Sequence, residues 1–391
     1  MKLQQAITLA ACTTAMGSAT AAVAQSTDEV RSRPFEVGIV YKGDVMGVDA
    51  GRGGRDVTYL DNVDLTVAAD MEQAIGWGGA TAFVDLLNNF GGRPNDTAGT
   101  LQGVNNIEVG APNLYLYQAW VQQGFADGRL TVLAGRYDIN SEFYSNPAAG
   151  QLIGPAFGMG SELASTGPNG PSIFPRTELA VRVRYAGTRN YGQFAVVRAP
   201  RGTVDQGGRR TALFIAEAGR RGPTTVSIGA WAYSRHQPEI VPPGVSAGTG
   251  EAVSRGAYVL MERDLSGAPD RPGYWRAFVR AGVSDGATTP FGNGVQLGIS
   301  GRGIIPSRPD SGISIGYAMA GLSRRYRRAN PVGAPVLAAS ENVLELTYND
   351  RVLPFLTLQP DIQYVARPSG LRDAKGVVVM GLRAIINWEM P

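Results

Sequence analysis

The side chains able to do chemistry are few and unevenly spread. His236 is the only imidazole of the chain and Cys12 the only thiol. A Ser/His/Asp triad would have to use His236, a His-rich metal site lacks a second imidazole, and no disulfide can form within the chain. His236 stands in Ser234-Arg235-His236-Gln237-Pro238-Glu239, where a solvated loop ring is the expectation. The sequence therefore points away from an enzyme and calls for no cofactor or metal. What remains is a set of ionised donors and acceptors: Arg136, Glu142, Arg176, Glu178, Arg182 and Arg184. Arginine offers a planar fork of donors and glutamate accepts only. Glu178, Arg182 and Arg184 are spaced by even numbers, so an extended chain puts them on one face. Trp120 shares a face with Gln118 and Gln122 in the same way. Such a set either meets a polar solute or knits a wall together with ion pairs.

The elements that must carry these groups follow from the pattern of apolar residues. Of 391 residues, 43% are hydrophobic and only 18% charged, against about 25% in ordinary soluble domains. Enough apolar surface exists for a large folded unit, facing either a core or lipid. Net charge is only +3, with 36 basic against 33 acidic residues, which argues against a nucleic-acid partner. Residues 1–24 read as a secretory signal. Lys2 is followed by Ala6, Ile7, Leu9, Ala10 and Ala11, and Ala22-Val23-Ala24 precedes the cleavage point at Gln25. Leu9-Ala10-Ala11-Cys12 is a competing lipidation motif with a short, interrupted apolar run. Residues 25–391 contain no run of about 18 apolar residues, so no transmembrane helix is expected.

Period-two alternation fills the rest. Val63, Leu65, Val67 and Ala69 alternate with Asn62, Asp64, Thr66 and Asp70. Leu179, Val181, Val183 and Tyr185 alternate with Glu178, Arg182 and Arg184, and Trp275, Ala277, Val279 and Ala281 with Arg276, Phe278 and Arg280. Each segment is a strand with one apolar and one polar face. A soluble sandwich gives the same local pattern. Recurrence along nearly the whole chain, aromatic residues near strand ends (Tyr59, Trp77, Tyr115, Tyr117, Tyr185, Trp275, Tyr364, Trp388) and a final strand placed to close on the first favour a membrane barrel. About sixteen strands are predicted, near 35–46, 56–71, 77–89, 112–124, 129–137, 176–187, 190–199, 209–219, 223–235, 253–264, 273–284, 294–302, 311–322, 341–350, 354–366 and 376–388. The fold class is all-β, a transmembrane antiparallel β-barrel forming one unit over 25–391 in the outer membrane of a Gram-negative cell. Residues 138–176 break the rhythm. This segment is Gly-, Pro- and Ser-rich but carries Phe143, Phe157 and Phe174 as apolar anchors, and is expected to fold inward as a constriction loop.

The residues around that loop resemble a known family. Leu116-Tyr117-Gln118-Ala119-Trp120-Val121-Gln122-Gln123, Ala134-Gly135-Arg136-Tyr137-Asp138-Ile139-Asn140-Ser141-Glu142-Phe143, Phe157-Gly158-Met159-Gly160 and Ser165-Thr166-Gly167-Pro168-Asn169-Gly170-Pro171-Ser172-Ile173-Phe174-Pro175 are similar to the carbohydrate-selective outer-membrane porins (OprB-like family). The resemblance covers residues 112–200 in motif and the rest in pattern and length. It implies a sixteen-stranded barrel that passes mono- and small oligosaccharides passively through a charged eyelet. Arg136, Glu142, Arg176, Glu178, Arg182 and Arg184 are the candidates for that eyelet, with Trp120 as a ring on which sugar could stack. Arg276, Arg280 and Arg383 are further lumen-facing charges. The family usually has Glu at the position of Gln118, and this chain ends Trp388-Glu389-Met390-Pro391 rather than in an aromatic residue.

Other readings stay open at this level. Arginine exceeds acid among the candidates, which suits a general or anion-selective porin. A loop that fills the lumen would make a non-conducting receptor barrel. The run Arg324-Arg325-Tyr326-Arg327-Arg328 falls at an outer rim, where it would bind lipopolysaccharide phosphates, attract anions or stay solvated. The expected partners are sugars as transported solute, outer-membrane lipid and lipopolysaccharide, and the barrel assembly machinery, with the barrel a monomer or a homotrimer.

Overall fold

The computed structural model describes residues 33–167, 170–199, 211–241, 251–269 and 271–389. The predicted signal segment, Pro168, Asn169 and the last two residues lie outside them. Sixteen strands form a closed antiparallel barrel in which each pairs with its sequence neighbour and the last pairs with the first. The first five are β1 (Phe35–Asp49), β2 (Arg55–Asp70), β3 (Ala80–Gly91), β4 (Asn113–Phe125) and β5 (Leu130–Tyr137). Next come β6 (Glu178–Ala186), β7 (Asn190–Ala199), β8 (Thr211–Arg220), β9 (Thr224–Pro238) and β10 (Glu251–Ser266). The wall is completed by β11 (Tyr274–Ser284), β12 (Phe291–Arg302), β13 (Gly312–Leu322), β14 (Ser340–Leu353), β15 (Leu356–Ala366) and β16 (Val377–Glu389). Closure leaves no strand edge unpaired, the condition for a sheet in lipid. Short helices interrupt the connections: α1 (Met71–Ile75), α2 (Pro94–Ala98), α3 (Ser161–Ala164) and α4 (Arg324–Arg328).

Alternation decides which way each side chain points. On β6, Leu179, Val181, Val183 and Tyr185 are exposed on the outer wall, while Ala180 and Arg182 are buried in the lumen. Strand β2 repeats this, with Asn62, Asp64 and Thr66 buried inside. One end of the barrel has tight turns, such as 126–129, 187–189 and 354–355, and the other the longer connections. In outer-membrane barrels the tight turns are periplasmic, so the longer connections mark the outer end.

Two aromatic residues expected near strand ends need correction. Trp77 belongs to the turn after α1, and β3 starts at Ala80. Tyr117 is not a girdle residue. The β3–β4 register shifts between Asp85/Leu86, leaving Tyr117 as the extra residue of a bulge. It turns inward, and its hydroxyl donates to Asp138 Oδ2 at 2.7 Å.

The packed core lies inside the barrel. The connection 138–177 leaves the wall after the short β5 and crosses the lumen. Phe143, Tyr144, Met159 and Leu163 pack against Leu133, Ile215, Trp231 and Tyr258 of the wall. Farther along, Leu152 and Phe157 meet Phe278, Val343 and Val365. Each such buried side chain contributes about 1.5–3 kcal/mol, which is why the anchors order the loop. Small residues in the wall make room: a Cβ on Gly282 would fall 1.9 Å from Glu162 Oε1 of α3. The connection 92–112 also folds inward, which the sequence reading did not anticipate. Its Val104 and Ile107 pack with Met46, Leu60 and Val379.

Candidate functional site

The charges of the lumen sort into those that hold the inward connections and those left facing its open space. The first group is large. Glu217 on β8 accepts the Tyr144 N–H at 3.0 Å, Glu262 on β10 the Ala148 N–H at 2.7 Å, and Glu345 on β14 the N–H groups of Ile153 and, at 2.9 Å, Gly154. Arg280 on β11 is buried and donates to the carbonyls of Ala156, Gly158 (3.0 Å) and Tyr144 (3.3 Å), and its Nε donates to Gln296 at 2.9 Å. Arg383 on β16 forks onto Asp44 at 2.8 and 2.7 Å and reaches Asn106 of the connection 92–112 at 2.8 Å. Charge-assisted bonds to backbone groups fix a connection that has no sheet ladder of its own. Arg276 pairs with Asp264 at 2.8 Å within the wall.

The second group centres on Glu142, five residues beyond the end of β5. Arg182 Nε lies 2.7 Å from Glu142 Oε2, and Arg184 Nη1 lies 2.9 Å from Oε1. The Tyr137 hydroxyl donates to Oε2. Arg182 also donates to Thr131 at 2.6 Å and Gln122 at 2.8 Å, so its fork is consumed and its side chain is 2% exposed. Arg184 and Glu142 keep 13% and 18% of their surface. Burial works to raise the Glu142 carboxyl, but the two guanidiniums and the tyrosine hydroxyl outweigh it and hold it below the ordinary carboxylate range. Asp138, at the loop entrance, has no cation to offset its burial and rises to about 6.

Beside this cluster lies a second one that sequence reasoning missed. The guanidiniums of Arg221 (4.7 Å) and Arg184 (5.5 Å) both lie over the Tyr191 ring on β7, a cation–π arrangement. Its hydroxyl donates to Glu217 Oε1 at 2.8 Å. Arg184, Tyr191, Arg221, Glu142, Glu217 and Glu262 border a crevice of about 40 Å³. That holds a water or two, not a sugar ring, so a solute would meet these groups from the lumen side. The crevice is bordered by three glutamates and two arginines, but Glu217 and Glu262 already hold the inward connection, so the arginine excess among the groups left to a solute remains.

The remaining candidates separate. Glu178 shares the lumen face with Arg182 and is half-buried, and Arg176 is exposed at the exit of the inward connection. Trp120 points into the lumen, with its ring stacked on Phe83 at 5.3 Å. Gln118 is buried in the wall. Arg136 is a correction. It pairs across the sheet with Leu179 on one side and Ala119 on the other, and Leu179 is exposed on the outer wall, so Arg136 faces outward. It curls back to donate to the Thr177 carbonyl. The lumen positions beside it are Gly135 and Tyr137. A Cβ on Gly135 would lie 2.2 Å from the Ala119 carbonyl, so only glycine lets β5 approach β4 this closely at the loop entrance.

Comparison with known proteins gives a consistent picture. The family model described as carbohydrate-selective porin, OprB family, matches residues 54–388. Porin B of Pseudomonas aeruginosa is 25% identical over 408 aligned residues, which cover 91% of this chain and 88% of that protein. The high-pH structure of Pseudomonas putida OprB superposes with a TM-score of 0.80 at 20% identity, covering 91% of this chain and 94% of that one. The low-pH structure of the same protein gives a TM-score of 0.59 at 17% identity, covering 91% of this chain and 93% of that one.

Proposed function

This chain belongs to the carbohydrate-selective porins of the OprB family, an outer-membrane channel for the passive passage of sugars, and on that premise we propose that its eyelet is built on Glu142. Glu142, Arg184, Glu178 and Arg176 are the groups a sugar meets, with Arg221 and Tyr191 beside them. Arg182 orients Glu142 from behind, and Trp120 supports the wall. The observation that carries this reading is Glu142 held between Arg182 and Arg184 where the inward connection leaves the barrel wall. Each sugar hydroxyl both donates and accepts, so paired ionised donors and acceptors can recognise it. Partners that already satisfy one another yield only part of their hydrogen-bonding capacity to a solute. Binding therefore stays weak enough for release, as conduction requires.

The family is one of channels, and nothing in the proposed mechanism uses a cofactor or a nucleophile. We further propose that residues 1–24 are removed on export and that residues 25–391 form one barrel unit. The assembly machinery inserts it beside lipopolysaccharide, as a monomer or a homotrimer.

The test is single-channel conductance of the full mature barrel in a planar bilayer, titrated with glucose, maltose and longer oligosaccharides. Saturable, size-dependent block supports a sugar eyelet. Steady current without block points to a general pore, and a folded barrel without current points to a plugged receptor.

A further inference from the structure

Four arginines converge on the outer rim, outside the pore chemistry. Helix α4 opens the connection after β13, with the Ser323 hydroxyl accepting the Tyr326 N–H at 3.0 Å. Arg324, Arg325 and Arg327 of this segment and Arg367 beyond β15 line a groove of about 820 Å³. Its floor includes Tyr317, Met319 and Asn342. The floor residues alternate with Ala318, Ala320 and Val343, which are buried on the lumen side, so the groove opens on the outside of the barrel. It lies at the end with the long connections, where the headgroups of the outer leaflet sit.

The charge in this groove is poorly matched from within. Arg325 has Glu239 as its partner. Among the described residues, Arg367 reaches only the Ser340 hydroxyl, at 3.4 Å. Among the described residues, Arg327 Nε is buried without a hydrogen-bond partner. The one acid lining the groove, Asp285, turns its oxygens onto backbone groups, accepting from the N–H groups of Ala287 and Thr288 at 2.8 Å each and of Arg255 at 3.3 Å. Below the floor, the outer wall continues as Ile315, Leu344 and Leu346, all exposed and apolar. Cationic forks above an apolar wall fit an amphiphile that carries phosphate on its headgroup and hydrocarbon beneath it.

We infer that this groove binds the phosphorylated glycolipid of the outer leaflet. The Arg324, Arg327 and Arg367 side chains take its phosphates, and its acyl chains lie along Met319, Ile315 and Leu344. A free phosphate would use the same arginines but gain nothing from the apolar wall, which is why a lipid is the assigned ligand. The inference rests on the outer-membrane placement of the barrel and not on the sugar eyelet.

Three probes are titrated into the detergent-solubilised full mature chain: bisphosphorylated lipid A, the same lipid with its phosphates removed, and inorganic phosphate. Bound lipid is read by native mass spectrometry. The dephosphorylated lipid should bind about tenfold more weakly than the phosphorylated one, and inorganic phosphate at equal concentration should not displace the lipid. Arg324→Gln, Arg327→Gln and Arg367→Gln combined should reduce lipid affinity by about tenfold while leaving sugar-blocked conductance intact. Equal binding of the two lipids overturns the inference, as does an unchanged affinity in the triple variant. Displacement by inorganic phosphate would make the groove a free-anion site and also overturn it. If the triple variant loses conductance as well, the two lipids on the native chain decide the matter. A native chain that binds lipid as expected but shows no sugar block would leave this site standing and remove the eyelet.

Discussion

The arginines around Glu142 and those at Arg280 and Arg383 obey the same alternation and face the same lumen, yet they end in opposite states. Arg280 is 1% exposed and Arg383 6%, each clamped onto a connection folded in from the outer end. Arg184 and Glu142 stay partly exposed, beside a crevice, on the side where the long connection begins. The difference arises because a segment without a ladder must find partners for its backbone groups, and the wall it crosses supplies them from β8, β10, β11 and β14. Charge that faces a lumen is therefore not by itself charge for the solute. Only side chains that the packing of the connections leaves partly exposed, on the wall as at Arg184 or on the connection as at Glu142, remain for transport.

The sharpest way to break this division is Arg280→Met. It orphans the carbonyls of Tyr144 and Ala156 and leaves that of Gly158 with Asn140 alone, at about 1–3 kcal/mol for each buried group left unpaired. The inward connection should detach from β11, with a lower melting temperature and a larger, noisier sugar-free current. An unchanged current would mean that Arg280 does not hold the constriction. Next in size is Glu142→Gln. It leaves two guanidiniums facing one neutral amide, at about 3 kcal/mol for a broken buried pair. Reversal potentials in a salt gradient should shift toward anion preference, and an unshifted potential would show that Glu142 is not in the ion path.

A smaller effect follows from Asp138. Its carboxyl titrates at about 6 in the folded chain, against about 3.9 when unfolded. Between those values the native state binds more protons, so anchoring of the loop entrance weakens as pH rises through that window and levels off above it. Current noise should grow from pH 5 to pH 7, and Asp138→Asn should flatten that dependence. Glu142 has the opposite sign. Its depressed carboxyl contributes stability above the unfolded value, which is lost as pH falls through the folded one. The smallest expected effect is that of Arg136→Gln. With an outward-facing side chain it should leave sugar block within about a factor of two, and a larger loss would place Arg136 back in the pore.

Most of the wall was legible because a strand in lipid must alternate, and all sixteen predicted segments overlap observed strands. The inward course of residues 92–112 was not. Its anchors are far apart in sequence, with Leu101 and Gln102 bonded to Glu341 and Val104 to Gln363. Arg136 was misread for a related reason. Where the inward connection covers the wall, the lumen face itself becomes apolar, as at Leu133 and Tyr137. The rule that polar means inward then fails, and an outward arginine passes for an inward one. The same covering hid Glu217, flanked on its own face by Leu213 and Ile215, and with it the cluster around Tyr191.

The most direct test of the division is the dissociation constant for maltose block in Arg184→Gln against the native barrel, measured in the same bilayer. About tenfold weaker block, with the sugar-free conductance within about a factor of two, is the predicted result, since a charged hydrogen-bond donor is lost while the loop anchors remain. Unchanged block would contradict it and return the solute to the part of the lumen held here to be structural.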